Sequence, residues 1–242
     1  MIRLFLRVAA VLVATVSISA HGAESTAPTV VDFESGDPGR VPSGFTIALT
    51  GRGQAPAWVV QEDATAPSGK KVLVQTSTDT TGSRFPLCIY DPVSVADVSL
   101  SVRFKPVGGT VDRAAGLVWR YRNPDNYYLV RANALEGNVV LYKVEDGKRS
   151  ALRPVGGGMF SYGTRATVAK DAWQTLEVRA VGSRFSVFLN GQPLFEVEDA
   201  TFRATGKVGL WTKADSVTAF DDLTIAPVSS ESAPSATQEG RP

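Results

Sequence analysis

Residues 116–133 have the sequence GLVWRYRNPDNYYLVRAN, the part of the chain that most clearly indicates its fold. Two runs rich in aromatic and β-branched residues flank Asn123-Pro-Asp125, a combination typical of a turn. The pattern predicts a β-hairpin with one strand over 116–122 and the next over 127–132. In the register centred on this turn, Tyr121 lies opposite Tyr127 and Trp119 lies opposite Leu129.

A third strand, predicted over 139–144, extends the hairpin through a turn at 134–137. It sets Arg131 opposite Val140 and Leu129 opposite Tyr142. Because side chains alternate between the two faces of a sheet, one face is predicted to carry Trp119, Tyr121, Tyr127, Tyr142 and Arg131. The other face is predicted to carry Val118, Arg120, Tyr128, Val130, Leu141 and Lys143. A slip of one residue in the pairing would exchange the two sets.

The same period-2 alternation recurs along the chain. In 97–104, Val98, Leu100, Val102 and Phe104 alternate with polar residues, which describes a half-buried strand. Asn190-Gly191 lies between two apolar runs, a strong signal for a two-residue hairpin turn. Long helical patterns are absent, so we expect an all-β sandwich or barrel of about 12–15 strands.

The composition excludes several classes of function. The chain has 242 residues, with 25 Lys and Arg against 24 Asp and Glu, a net charge of +1. Such a balance gives no electrostatic footprint for nucleic acid or for an acidic membrane surface, so no nucleic-acid partner is expected. The one cysteine, Cys88, lies in an apolar strand, where we expect a small buried side chain and not a nucleophile.

The two ends of the chain differ from its middle. Residues 1–23 resemble a secretory signal peptide, with Arg3 and Arg7 before a short apolar run and cleavage after Ala20 or Ala23. An uncleaved N-terminal anchor is the alternative. Residues 24–226 form one predicted domain, and 227–242 form a Pro/Ser-rich tail predicted to be disordered. The protein is therefore expected to be exported to a periplasm or the outside, with no membrane span after cleavage.

Signal cleavage would also restrict the chemistry. His21 is the one histidine of the chain, and cleavage after Ala23 removes it, whereas cleavage after Ala20 leaves it at the new terminus. Without histidine, Ser-His-Asp and Cys-His nucleophiles and ordinary zinc sites are excluded. Acid–base chemistry would then fall to Asp, Glu, Lys or Tyr.

The aromatic face of the central strands is the main candidate site. Sugar rings stack their C–H faces on aromatic side chains, while guanidinium and amide groups bind hydroxyls. The candidate ligand-binding residues are Trp119, Tyr121, Tyr127, Arg131 and Tyr142, together with Arg120 and Asn133. The alternative is that these rings form the sandwich core, with arginines at its rim. In that case a buried Arg131 needs an acidic partner, and Asp221 or Asp222 is the candidate.

Pairs of carboxylates are the second candidate. Glu196 and Glu198 share one strand face, the arrangement of a glycosidase pair, but flanking Val197 after a hairpin also describes a solvated outer face. Asp221 and Asp222 are adjacent in a strand and must point to opposite faces. Either could contribute to a structural Ca²⁺ site together with backbone carbonyls. No other cofactor is expected.

The segments 116–144, 173–179, 185–191 and 206–223 together resemble secreted bacterial members of the concanavalin A-like lectin/glucanase superfamily. The resemblance covers about residues 90–226 and extends to laminin G-like domains and to the 3-keto-disaccharide hydrolase-like, or family-16-glycoside-hydrolase-like, domain. It implies a two-sheet antiparallel jelly roll that binds sugar on its concave sheet. The family-16 catalytic signature, Glu-x-Asp-x-(x)-Glu, is absent from this sequence.

The resemblance leads to two expectations about function. The first is an exported carbohydrate-binding or carbohydrate-processing jelly roll acting on keto-disaccharides or glycans; if it is an enzyme, a glycoside hydrolase or lyase-like activity is implied. The second is a non-catalytic laminin G-like adhesion or interaction domain of the cell envelope with a protein partner. A structural subunit of an envelope assembly is a third alternative.

Overall fold

The computed structural model describes residues 27–159 and 161–228, which form sixteen β-strands and contain no helix. The predicted signal peptide at 1–23 lies outside the described residues, as does the predicted tail apart from Pro227 and Val228. Since the described ranges contain no helix, they contain none that could cross a membrane.

The strands form two antiparallel sheets of eight. The first sheet has the order β14 (Gln192–Glu198), β13 (Arg184–Leu189), β12 (Gln174–Val181), β6 (Val98–Gly108), β16 (Val217–Pro227), β4 (Lys71–Gln75) and β3 (Trp58–Glu62), with β1 (Thr29–Val31) also paired to β16. The second sheet has the order β10 (Lys148–Ala151), β9 (Asn138–Glu145), β8 (Asn126–Asn133), β7 (Ala114–Asn123), β15 (Gly206–Trp211), β5 (Arg84–Val95) and β2 (Phe45–Gly51), with β11 (Thr164–Arg165) also paired to β9.

The main hydrophobic core lies between the two sheets. The alternating residues of β6 are fully buried there, as predicted, and they meet Trp119, Tyr128 and Val130 from the second sheet. Cys88 is also fully buried in this core, and burial raises the pKa of its thiol. Each large apolar side chain that is removed from water in this way contributes about 1.5–3 kcal/mol.

The predicted turn at Asn190-Gly191 and a second turn at Asp146-Gly147 have the backbone expected of tight hairpins. Asn190 and Gly191 have φ of 52° and 74°, and Asp146 and Gly147 have φ of 49° and 74°. Both central residues of such a turn need positive φ, which Asn, Asp and Gly adopt most readily. These turns set the register of β13 with β14 and of β9 with β10.

The predicted register of the first hairpin is wrong by one residue. Trp119 lies opposite Tyr128, and Gly116 lies opposite Arg131. The cause is a bulge in β7 between Trp119 and Asn123, where Arg120 has φ of 48°. Gly206 of β15 packs against this bulge, since a Cβ there would lie 2.5 Å from the carbonyl carbon of Arg120. The second predicted register, with Arg131 opposite Val140 and Leu129 opposite Tyr142, is confirmed.

The bulge changes which side chains share a face. Trp119 lies on the core side of the second sheet, whereas Tyr121, Tyr127, Tyr142 and Arg131 lie on its other side. Val118 was predicted beside Tyr128 but packs with Leu129 and Tyr127 instead. Tyr128, Val130 and Leu141 do lie on the opposite face, as predicted. The β7 residues before the bulge therefore lie on the face opposite to the predicted one. Tyr121, which follows the bulge, lies on the predicted face.

The second sheet is strongly curved. In a flat sheet β10 would lie about 24 Å from β5, five strand spacings away. Instead the guanidinium carbon of Arg149 in β10 lies 4.6 Å from the ring centroid of Phe85 in β5. The Thr50 hydroxyl of β2 likewise lies 2.9 Å from the Tyr127 hydroxyl of β8. The face of the second sheet that points away from the core is therefore concave.

Candidate functional site on the concave face

A second hydrophobic cluster fills the concave face. We name it the concave cluster; its buried members are Phe85, Leu87, Ile89, Ala114, Val118, Tyr127, Leu129, Val140, Tyr142, Val144 and Trp211. Phe85 and Trp211 stack with ring centroids 5.6 Å apart. Tyr127 is fully buried and Tyr142 is 2% exposed, so the rings pack on one another and do not form an open platform.

A polar network lies at one end of this face. It consists of Asp112, Arg131, Asn133, Glu136, Asn138 and Lys213. The Arg131 guanidinium donates to both carboxylate oxygens of Glu136, at 3.0 and 2.7 Å, and to Asn138 at 2.7 Å. The Asn133 amide donates to Asp112 at 2.6 Å and to Glu136 at 3.2 Å. Lys213 forms an ion pair with Asp112.

The predicted acidic partner of Arg131 is wrong. Glu136, in the turn that follows β8, neutralises Arg131, whereas Asp221 and Asp222 lie on β16 in the other sheet. Burial disfavours the ionised form of Glu136, but the hydrogen bonds from Arg131 and Asn138 outweigh it and hold its pKa below the usual range. Arg131 is fully buried, and this pairing explains how the sheet accommodates its charge.

Arg149 and Tyr162 both contact Tyr142 of the concave cluster. The Arg149 guanidinium carbon is 4.5 Å from the Tyr142 ring centroid and 5.7 Å from that of Trp211, as well as close to Phe85. Tyr142 also has Arg131 over its ring at 5.6 Å. Its hydroxyl lies 2.5 Å from that of Tyr162, which is 48% exposed. Burial raises the pKa of Tyr142 although both guanidinium groups oppose the shift, so this phenol stays protonated.

Two guanidinium nitrogens of this site have no partner in the described part of the chain. They are Nε of Arg131 and Nη1 of Arg149, and both are buried. A buried N–H group without an acceptor is destabilising, and such groups are rare in folded proteins. Two of them on one aromatic-lined concave face mark the position where an acceptor of hydrogen bonds would be favourable.

The other four predicted ligand-binding residues lie in four different places. Tyr121 is half-buried at the far end of the concave face, where burial raises its pKa to about 12. Asn133 belongs to the polar network. Trp119 is fully buried in the core, stacked on Tyr128 with centroids 5.4 Å apart. Arg120 is buried at the bulge and donates to the carbonyls of Ala96, Phe202 and Gly182 and to Asp97. Neither Trp119 nor Arg120 faces the concave side.

The carboxylate pair Glu196 and Glu198 lies at the protein surface. Glu196 and Glu198 are exposed on the edge strand β14, and both lie within ion-pair distance of Arg184. The alternative prediction of a solvated outer face is therefore confirmed for this pair. The residues 27–159 and 161–228 contain no group of three or more His, Cys, Asp or Glu side chains that could hold a metal ion.

Asp221 has a structural environment of its own. It is fully buried and accepts hydrogen bonds from the backbone N–H groups of Ser68 at 3.1 Å and Asp222 at 2.8 Å, and from the Ser68 hydroxyl. These donors contact both carboxylate oxygens, and the contribution of Asp221 or Asp222 to a structural Ca²⁺ site stays a prediction. Burial raises the pKa of Asp221 to about 6, against the hydrogen bonds from Ser68 and Asp222.

Asp221 should make stability depend on pH in a defined window. Its folded pKa of about 6 lies above the ordinary 3.8 of an unfolded aspartate, so its favourable contribution is complete below about pH 4 and is lost as the pH rises to about 6. As the pH is raised from 4 to 7, the free energy of unfolding of Asp221→Asn should rise by about 2–3 kcal/mol relative to that of the wild-type protein. Urea unfolding at four pH values measures this difference, and a difference that does not change with pH would contradict the assignment.

Sequence reasoning missed Arg149, Tyr162 and Glu136. A signal for Arg149 was present, because the two-residue turn Asp146-Gly147 forces the next strand to pair with β9. That pairing places Arg149 opposite Val144, on the same face as Tyr142. Tyr162 follows an irregular segment of three glycines, so its position had no comparable signal.

Comparisons with known proteins identify the fold and the family. The carbohydrate-binding module CBM66 from Bacillus subtilis is similar with a TM-score of 0.55 and 19% identity, over 76% of this chain and 95% of that one. The cellulose-induced protein Cip1 is similar with a TM-score of 0.59 and 15% identity, over 83% and 97% of the two chains. At these identities the likeness shows the fold alone. The prediction of an all-β, two-sheet antiparallel jelly-roll sandwich of the concanavalin A-like type is confirmed.

The family follows from sequence. No curated protein matches the chain. A family model described as the 3-keto-alpha-glucoside-1,2-lyase-like domain matches residues 39–226, more than three quarters of the 242 residues. The matched range includes fifteen of the sixteen strands, all but β1, and therefore the whole concave face. The chain belongs to the family of 3-keto-alpha-glucoside-1,2-lyase-like domains.

Proposed function

We propose that the protein binds carbohydrate on the concave face of its second sheet. The observation that carries the proposal is the pair of buried, unpartnered guanidinium nitrogens of Arg131 and Arg149 above an aromatic cluster. Sugar hydroxyls accept hydrogen bonds from such groups, and sugar rings pack on aromatic side chains. Family membership supports the same ligand class, as do fold neighbours named as a carbohydrate-binding module and a cellulose-induced protein.

The residues of the site have different roles in this proposal. Arg149 and Tyr162 contact the ligand, because they lie between the filled concave cluster and solvent. Arg131, held by Glu136, forms the buried floor of the site, with its Nε unpartnered. Tyr142 positions Arg149 through its ring and Tyr162 through its hydroxyl.

We propose binding as the activity, because the charged groups of the site are unsuited to acid–base chemistry. Both carboxylates of the polar network are held by cations, Glu136 by Arg131 and Asp112 by Lys213. A general acid needs a raised pKa near neutrality, whereas the pKa of Glu136 is lowered. Carbohydrate cleavage is the second candidate, which the lyase-like family description favours.

A glycan array together with a reducing-sugar release assay tests these proposals on the full chain. Binding without release supports the proposed function, and release would instead support the second candidate. Tyr162→Ala should weaken binding at least tenfold. Trp173→Ala is the matched control, since this partly buried ring lies on the outer face of the other sheet. If no glycan binds, or if both variants weaken binding equally, the proposal fails and a protein partner becomes the better interpretation.

We also propose that the protein is exported to a periplasm or the outside. The support is the sequence of residues 1–23, with its two arginines and short apolar run. Mass spectrometry of the protein purified from its native host should find a new N-terminus at His21 or Glu24. An intact Met1 terminus in a membrane fraction would favour the uncleaved anchor.

A further inference from the structure

Arg149 has an unusual position for a cation. It lies on an edge strand, yet its guanidinium is in contact with three rings from β5, β9 and β15. Its Nη1 atom is buried there without a hydrogen-bond partner, although the residue as a whole is only partly buried. Ring faces attract a cation, but they do not accept the directed hydrogen bonds of a guanidinium.

Arg149 differs from Arg131 and Lys213, the other two cations of the site, in having no acidic partner among the described residues. Arg131 is paired with Glu136, and Lys213 is paired with Asp112. None of the ion pairs in the described ranges includes Arg149. Arg149 therefore has no ion-pair partner in these ranges, and its guanidinium lies at the proposed ligand position.

We propose that the carbohydrate bound on the concave face is acidic, and that Arg149 binds its carboxylate. The inference rests on the proposed function and adds a substrate class to it, namely glycans that contain uronic acids. The planar fork of a guanidinium matches a carboxylate and forms two parallel, charge-assisted hydrogen bonds. A carboxylate in this position would neutralise the charge of Arg149, whereas a neutral sugar hydroxyl would accept a hydrogen bond and leave the charge uncompensated.

Titration calorimetry of the full chain with paired probes tests this inference. The probes are oligogalacturonate and oligoglucuronate, each beside its fully methyl-esterified counterpart, which keeps the sugar stereochemistry and removes the charge. We expect an acidic probe to bind at least tenfold more tightly than its neutral ester. The preference should decrease as salt is raised from 50 mM to 500 mM, because screening weakens the pairing.

Two arginine variants test whether Arg149 is the residue that causes the preference for the acidic probe. Arg149→Gln should abolish the preference for the acidic probe while the neutral ester still binds. Arg122→Gln is the matched control, because Arg122 also lies over a ring, 5.1 Å from the centroid of Phe202, but at an exposed position outside the concave face. Thermal melting of both variants shows whether either loss comes from unfolding.

The outcomes separate this inference from the proposed function. If neutral glycans bind and the acidic probes bind no more tightly, the inference is wrong and the proposed function stands. If Arg149→Gln still prefers the acidic probe, a different cation binds the carboxylate and the inference is also wrong. If neither the acidic nor the neutral probes bind, and the glycan array is also negative, both proposals fail together.

Discussion

Replacing Glu136 by alanine should lower the free energy of unfolding by about 3 kcal/mol. The variant removes both oxygens that hold the Arg131 guanidinium, at 3.0 and 2.7 Å, and leaves Asn138 as its remaining acceptor. Arg131 is fully buried, so its charge would be stranded in the sheet without compensation. The Glu136 side chain is 38% exposed. Water can therefore enter the vacated space, and the expected loss lies at the lower end for a broken buried pair.

Urea unfolding of Glu136→Ala beside Glu198→Ala provides the measurement and its control. Glu198 pairs with Arg184 at 2.9 Å, but both side chains are more than half exposed. An exposed pair of this kind contributes less than about 1 kcal/mol. Equal losses in the two variants would contradict the structural role of Glu136.

A double variant sharpens the test. Arg131→Met combined with Glu136→Gln removes both charges together, so neither is stranded. It should recover part of the stability lost in Glu136→Ala, because replacing a whole buried pair costs less than breaking it. A double variant that is less stable than Glu136→Ala would show that packing around Arg131, and not its charge, is the main contribution.

The partner of Arg131 illustrates what the sequence could and could not predict. Apolar neighbours correctly indicated that Arg131 is buried and needs an acid. Strand periodicity gives the face of a residue but not the distance between sheets, so it could not exclude Asp221 or Asp222. Glu136 lies five residues from Arg131 in the predicted turn at 134–137, and a turn that reverses the chain brings such residues together.

The strands themselves were largely predictable. Fourteen of the sixteen strands coincide with segments that alternate or that carry β-branched and aromatic residues. The two that were missed, β10 and β11, have four and two residues and are mostly polar. Edge strands of this kind are defined by the strand they pair with, and their own composition gives no periodic signal. The missing signal for β10 is important for the site, because this strand carries Arg149.

The face of Trp119 could not be predicted for a different reason. Its register depends on the bulge at Arg120, where the backbone adopts positive φ. The bulge is accommodated by Gly206, 86 residues later in the sequence, which lets the two backbones approach closely. A contact between residues so far apart has no local signature, so nothing in the sequence of β7 shows where its alternation between the two faces is interrupted.

Replacing Trp119 by alanine should cost about 3–5 kcal/mol, the range for removal of a large buried aromatic side chain. Trp119 stacks on Tyr128 and meets the edge of Phe185 from the opposite sheet, with centroids 5.3 Å apart. The indole therefore links the two sheets, and alanine would leave a cavity at their contact. Chemical unfolding measures the loss, and Trp173→Ala on the outer face should show a smaller one.

Trp119→Phe distinguishes a core residue from a ligand-binding residue. Phenylalanine keeps a ring between Tyr128 and Phe185 and removes the indole N–H, which has no hydrogen-bond partner among the described residues. We therefore expect this variant to lose less than half as much stability as Trp119→Ala. It should also bind glycans as the wild-type protein does, whereas Tyr162→Ala should not. A Trp119→Phe variant that is stable but no longer binds would place the indole in the ligand site, and the assignment of the concave face would then be wrong.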